Sequence, residues 1–137
     1  MLRDRVRRRD AEATQSSILE AAAELFVERG FAATSMSEIA RRAEVTKSLI
    51  HHHFGSKEGL WQQVKRAKME ELVEVQRAIL EDDESEAELV VRSVENYFRF
   101  LQRHPEIVRL NSWMTLEDPR LSQAAYPDLI DSIAAMV

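Results

Sequence analysis

Residues 35–57 read SMSEIARRAEVTKSLIHHHFGSK, and the fold turns on this stretch. Ser35 and Glu38 stand three apart at the head of a segment with helical apolar spacing. That is a capping box: the Ser35 hydroxyl takes the Glu38 backbone N–H, and the Glu38 carboxylate reaches back. The helix it opens is short, about 36–43, and turns Ile39, Ala40 and Ala43 inward. Glu44-Val45-Thr46 forms a tight link, with Thr46 placed to cap a second short helix over about 47–53. Small and apolar residues at 39, 40, 43, 45 and 50 let the two helices cross closely, which is a helix-turn-helix pattern. The outward face of the second helix carries Lys47, Ser48, His51 and His52. A major groove about 12 Å wide admits one such helix, and these side chains can donate to phosphates and base edges. Lys57 opens the next helix, where its ammonium and backbone N–H groups can meet a phosphate together.

Outward from this stretch the periodicity stays helical. Ile18, Leu19, Ala22, Leu25 and Phe26 make one apolar face of a helix from about Ala11 or Thr14 to Arg29. Gly30 stands where a left-handed terminator belongs, and Phe31 follows as a hydrophobic clip. Ser56 caps a long helix, Lys57 to about Leu80, whose inner candidates include Leu60, Val64, Leu72, Val75 and Ile79. The acidic break at 81–84 precedes a helix from Ser85 to about His104, with Leu89, Val90, Val94, Tyr97, Phe98 and Leu101 on one side. Phe98 and Phe100 cannot share a helix face, so one of them points elsewhere. Pro105 opens a helix to about Met114, and Pro119 and Pro127 punctuate the rest.

Composition bounds the function classes. The 137 residues suit one domain or two very small ones, with 45% hydrophobic and 31% charged positions. With no Cys there is neither a disulfide framework nor a thiolate metal site, and no apolar run approaches the ~18 residues of a membrane span. The Arg-rich start lacks the apolar core of a signal peptide, so the sequence reads as cytoplasmic. The net charge of −5 hides an asymmetry. Residues 1–68 carry thirteen Lys and Arg against nine Asp and Glu, a balance of +4, whereas residues 69–137 carry six against fifteen. Residues 1–10 supply +3 of that +4 through Arg3, Arg5, Arg7, Arg8 and Arg9, and read as a basic mobile arm. The arm has two readings, a solvated tail and a segment that follows DNA phosphates. The helix-turn-helix itself is close to neutral.

The stretch from Thr14 to Leu60 resembles the DNA-binding domain of the TetR (tetracycline-repressor-like) transcription regulators. The resemblance runs without a gap through Ile18-Leu19, Ala22, Leu25-Phe26, Gly30-Phe31, Thr34-Ser35, Ile39-Ala40, Val45-Thr46-Lys47, His53-Phe54, Ser56-Lys57-Glu58 and Leu60. It implies an all-α chain with a basic arm (1–10), a three-helix DNA-binding domain (11–55) and a helical effector-binding and dimerisation domain (56–137). It implies DNA contacts from Ser35, Ser37, Lys47, Ser48, Leu49, His51, His52 and Lys57. It further implies a repressor, dimeric on a palindromic operator and released by a small-molecule effector, with the long Lys57–Leu80 helix as lever. His104-Pro105-Glu106 also looks like an element of the family's middle helices. Three positions depart from the pattern: His51 and His52 stand where aromatics are usual, and Glu44 replaces the Gly of the turn. Imidazoles at the first two bring a charge change near neutral pH. Leu49 cannot hydrogen-bond a base edge but can pack on a thymine methyl. Because the family's chains continue with two further long helices, a sequence ending in apolar 131–137 is expected to be C-terminally incomplete.

Other chemistries find less support. Consecutive helical residues point ~100° apart, so His51, His52 and His53 cannot ligate one ion without unwinding; no metal or cofactor is expected. No Gly-rich phosphate loop, H-E-x-x-H or nucleophile motif is present, and an enzyme is not expected. Met69, Tyr97, Phe98, Trp113 and Met114 are candidate walls of an effector pocket, although residues at such spacing are more often plain core. Asn96, Asn111 and Ser112 can orient a ligand if they face inward. Two rival classes remain open: a helical interaction module that has lost DNA binding, and a helix-turn-helix regulator without an effector.

Overall fold

The computed structural model describes residues 1–117, and every regular element among them is helical. The helices are α1 (Leu2–Arg29), α2 (Met36–Arg42), α3 (Lys47–Phe54), α4 (Lys57–Leu80), α5 (Glu86–Arg103) and α6 (Pro105–Glu117). They divide into two compact units, Met1–Val64 and a second beginning at Lys65, so α4 contributes to both. The expected boundary at residue 55 therefore falls earlier than the one between the units. Pro119, Pro127 and the 131–137 segment lie outside the described residues.

In the first unit α1 packs on α2 and α2 on α3. Ile18, Phe26, Ile39, Ile50, Leu60 and Trp61 are fully buried. Each such side chain contributes about 1.5–3 kcal/mol relative to exposure, and together they hold the short α2 and α3, which no isolated peptide would sustain. The ends are set locally. Ser35 and Glu38 form both halves of the capping box, and the Thr46 hydroxyl accepts from the Leu49 N–H at 3.2 Å. Ser56 accepts from the Gly59 N–H at 3.0 Å. At Gly59 a Cβ would collide with the Phe54 carbonyl oxygen, so the close turn from α3 into α4 requires glycine there. Gly30 has φ 80° as expected, but its ψ of −179° lies outside the left-handed helical well, in a region open essentially to glycine alone.

Two expectations for this unit change. Helix α1 starts at Leu2 rather than at Ala11 or Thr14, so the Arg-rich segment is helical and not an arm apart from it. Arginine is a good helix former, residues 2–13 contain no Gly or Pro, and a nucleus anchored at Ile18–Phe26 propagates at small cost.

In the second unit Leu72 of α4, Phe100 of α5 and Ile107 of α6 form a buried cluster, with Met69 and Leu101 packed against it. Ser85 and Glu88 make a second capping box at the head of α5. His104 ends α5; its Nε2 lies 3.0 Å from a Glu71 carboxylate oxygen, and Arg103 reaches the same carboxylate at 3.1 Å. Of the expected inner faces, Leu60, Val64, Leu72, Ile79 and Leu89 are buried, but Val75, Val90, Val94, Tyr97 and Phe98 are exposed, and Phe100 is the aromatic of α5 that turns inward. The inner stripe of α5 is instead set by buried Leu89 and Phe100, with Ser93 and Asn96 half-buried between them. Asn96 donates to the Gln76 side chain at 3.1 Å, and Gln76 donates to the Ser93 carbonyl at 3.4 Å. These two bonds link α4 to α5, and the more apolar neighbouring stripe of α5 is left exposed.

Candidate nucleic-acid interface

Helix α3 is anchored from beneath by Ile50, which is fully buried, while Lys47, Ser48, His51 and His52 are exposed along its outer side. Leu49 is half-buried at the edge of that face. The linker that aims α3 puts Glu44 at φ 56°, a left-handed conformation that glycine adopts more readily than a residue with a side chain. A second polar edge comes from the start of α2, where Ser35 and Ser37 are exposed. Their availability differs. The Ser35 hydroxyl accepts from Glu38 N–H at 3.2 Å and donates to its carboxylate at 2.9 Å, and the same carboxylate takes the Ser35 N–H at 3.0 Å. Glu38 is held ionised, its carboxyl lowered first by the Ser35 backbone N–H, then by the Ser35 hydroxyl and the Arg29 guanidinium.

The histidines play three parts. His51 is tied back, its Nδ1–H donating to the Gly55 carbonyl at 3.1 Å. In the neutral ring this leaves Nε2 as an acceptor only, so a phosphate contact from Nε2 requires the protonated imidazole. His52 is exposed and meets the His53 ring edge-on at 5.4 Å. His53 turns toward α1, its Nδ1 lying 3.3 Å from the Gln15 amide nitrogen. Among the described residues no group of three or more His, Asp or Glu is placed to hold a metal ion.

Lys57 rests on a support that periodicity alone did not single out. Its ammonium lies 4.2 Å from the centroid of the Phe31 ring. Phe31 stacks on Phe26 at 6.0 Å and meets Trp61 edge-on at 5.5 Å, and Trp61 meets Phe26 edge-on at 4.8 Å. A cation on a ring face is attracted without consuming an N–H donor, so the lysine is held in place by an aromatic shelf. The sequence signal was the Gly30-Phe31 clip; Trp61, thirty residues on, carried no separate cue.

The candidate effector residues are spread over the second unit. Met69 packs against the Leu72–Phe100–Ile107 cluster, Met114 is buried, Trp113 is half-buried, and Tyr97 and Phe98 are on the exposed side of α5. Asn96 is half-buried and engaged with Gln76.

A polar face on a short helix, braced by two others and presented by a capped turn, defines a helix-turn-helix DNA-binding unit. Comparison with known proteins gives the family. Residues 18–64 match the family described as bacterial regulatory proteins, tetR family. The chain is 34% identical over 96 residues to the HTH-type transcriptional activator FasR of Mycolicibacterium smegmatis, across 70% of this chain and 44% of that protein. It is 32% identical over 125 residues to the A-factor receptor protein of Streptomyces griseus, across 90% of this chain and 43% of the receptor. A solved TetR-like transcriptional regulator from Rhodococcus sp. RHA1 superposes with a TM-score of 0.68 at 26% identity, covering 90% of this chain and 68% of that one. Residues 18–64 belong to the TetR family of bacterial regulatory proteins, and the chain spans less than half the length of these two curated relatives. No helix among the described residues is long and apolar enough to cross a membrane.

Proposed function

We propose that this chain acts as a TetR-type transcriptional regulator, a cytoplasmic repressor that leaves its operator when a small molecule binds. The observation that carries the reading is the exposed run Lys47, Ser48, His51 and His52 on a helix pinned by buried Ile50. In this reading residues 11–55 read DNA: Lys47, Ser48 and Leu49 meet base edges, while Ser37, His51, His52 and Lys57 meet phosphates. Ser35 reaches a phosphate only by exchanging its bonds with Glu38. A homodimer places two α3 helices in successive major grooves, roughly 34–36 Å apart on a palindrome. Repression is the simplest consequence, since a bound dimer excludes other proteins without any additional surface. Residues 56–137 serve dimerisation and effector binding, with Met69, Tyr97, Phe98, Trp113 and Met114 toward an apolar ligand. The kinship with a protein named a receptor supports that part. A ligand releases DNA only by binding one conformer better than the other.

The test is selection of bound duplexes from a random-sequence library, followed by affinity measurements on the enriched sites. Lys57→Ala is expected to weaken binding similarly on enriched and random duplexes, and Lys47→Ala to weaken it mainly on enriched ones. No enrichment over the input library would favour the rival reading, a helical module that keeps the fold without reading DNA. Thermal shift against a library of amphipathic compounds tests the effector, with stabilisation expected from at least one class.

A further inference from the structure

Five arginines, Arg3, Arg5, Arg7, Arg8 and Arg9, lie in the first turns of α1, all exposed, their side chains without an ion pair or hydrogen bond to any described residue. Residues 1–13 are exposed throughout, so this part of α1 projects beyond the core that begins at Ile18. Its direction is anchored at Gln15, whose side chain meets His53 at the end of the recognition helix. At ~1.5 Å per residue, Arg5 stands about 15 Å farther along the α1 axis than Gln15. At ~100° per residue Arg8 falls within about 20° of Gln15 around the helix, and Arg5 and Arg7 about 80° to either side. Arg3 and Arg9 fall about 120° away.

We propose that this projecting turn of α1 is a second DNA-contacting surface, in which Arg5, Arg7 and Arg8 bind backbone phosphates flanking the site occupied by α3. The inference rests on the DNA-binding reading and adds to it a contact without sequence preference. Duplex DNA is the partner favoured because the arginine-bearing face continues from Gln15, which touches the recognition helix. Guanidinium groups suit phosphate oxygens through paired N–H donors, and helical continuity with a packed α1 lowers the ordering cost a loose tail would pay. The reach corresponds to about four or five base pairs beyond the α3 contact.

The experiment compares the full chain with Arg5/Arg7/Arg8→Gln and Arg3/Arg9→Gln, each checked by circular dichroism for unchanged helix content. Affinity for a random-sequence 40-base-pair duplex is measured over a salt series, and protection is mapped on library-enriched sites. The triple variant is expected to lower the slope of log affinity against log salt by ~2–3 per bound chain. It should also shorten protection by about four or five base pairs at each flank, while the same sites remain enriched. The double variant is expected to change the slope by less than ~1. An unchanged slope for the triple variant, or an equal effect from the double variant, overturns the proposal. So does a loss confined to binding of anionic phosphatidylglycerol vesicles, which would assign the segment to a membrane surface. Failure of the unaltered chain to bind any duplex would instead take down the DNA-binding reading itself.

Discussion

Glu44 sits at φ 56°, where a side chain costs of order 1 kcal/mol that glycine does not pay. Glu44→Gly is therefore expected to raise unfolding stability by about 0.5–1 kcal/mol in urea denaturation, after the extra freedom of glycine in the unfolded chain is deducted. A loss of stability would mean that the Glu44 side chain makes a contact outweighing its backbone strain. At the neighbouring cap, Ser35→Ala is expected to cost about 1 kcal/mol. The two capping-box carboxylates also give a pH signature. Glu38 is lowered chiefly by the Ser35 backbone N–H, and Glu88 chiefly by the Ser85 hydroxyl. A carboxyl lowered on folding stabilises above its unfolded pKa, and that contribution disappears as pH falls through the folded value. Stability measured from pH 6 downward should thus drop on the acid side of about 4.5, and a Ser35→Ala/Ser85→Ala variant should show a shallower drop. An identical acid limb in that variant would contradict the assignment.

At the scale of elements, the helix ends were legible because they are local. Ser35, Thr46 and Ser56 each cap the helix that the sequence pattern assigned to them, and Ser85 caps the helix expected to begin there. The inner face of α5 was not, for a physical reason. Periodicity selects the most apolar stripe, Val90, Val94, Tyr97 and Phe98, but packing selects the stripe whose polar members find partners. Asn96 is tolerated on the half-buried side because its amide meets Gln76, which also donates to the Ser93 backbone carbonyl, and Phe100 is buried on the same side. Phe98 is 61% exposed and Phe100 is 1% exposed, although two residues apart. Phe100→Ala is accordingly expected to cost about 3–5 kcal/mol, and Phe98→Ala to stay within about 0.5 kcal/mol, in matched thermal or urea unfolding. The reverse order would restore the face read from hydrophobicity. Likewise charge alone suggests a tail ahead of residues 11–14, whereas helix propensity and an anchored nucleus carry α1 back to Leu2.

For the whole molecule, the sequence made the helix-turn-helix and its outward residues readable because short-range caps and small residues encode them. The shelf beneath Lys57 was hidden, since it joins Phe26, Phe31 and Trp61 across thirty-five positions and leaves no periodic trace. Charge shows the same division. The basic balance of the first half concentrates in the exposed turns of α1, and the recognition helix adds Lys47 as its one formal cation. Binding should then combine a modest, oriented contact by α3 with a salt-sensitive contact elsewhere. The most direct test is the affinity of the full chain for a library-enriched duplex and for a random duplex across 50–300 mM salt. Both affinities are expected to fall linearly on a log–log plot, with the enriched site tighter by at least ~10-fold and Lys47→Ala closing much of that gap. Equal affinity for the two duplexes, or a flat response to salt, would contradict the DNA-binding reading.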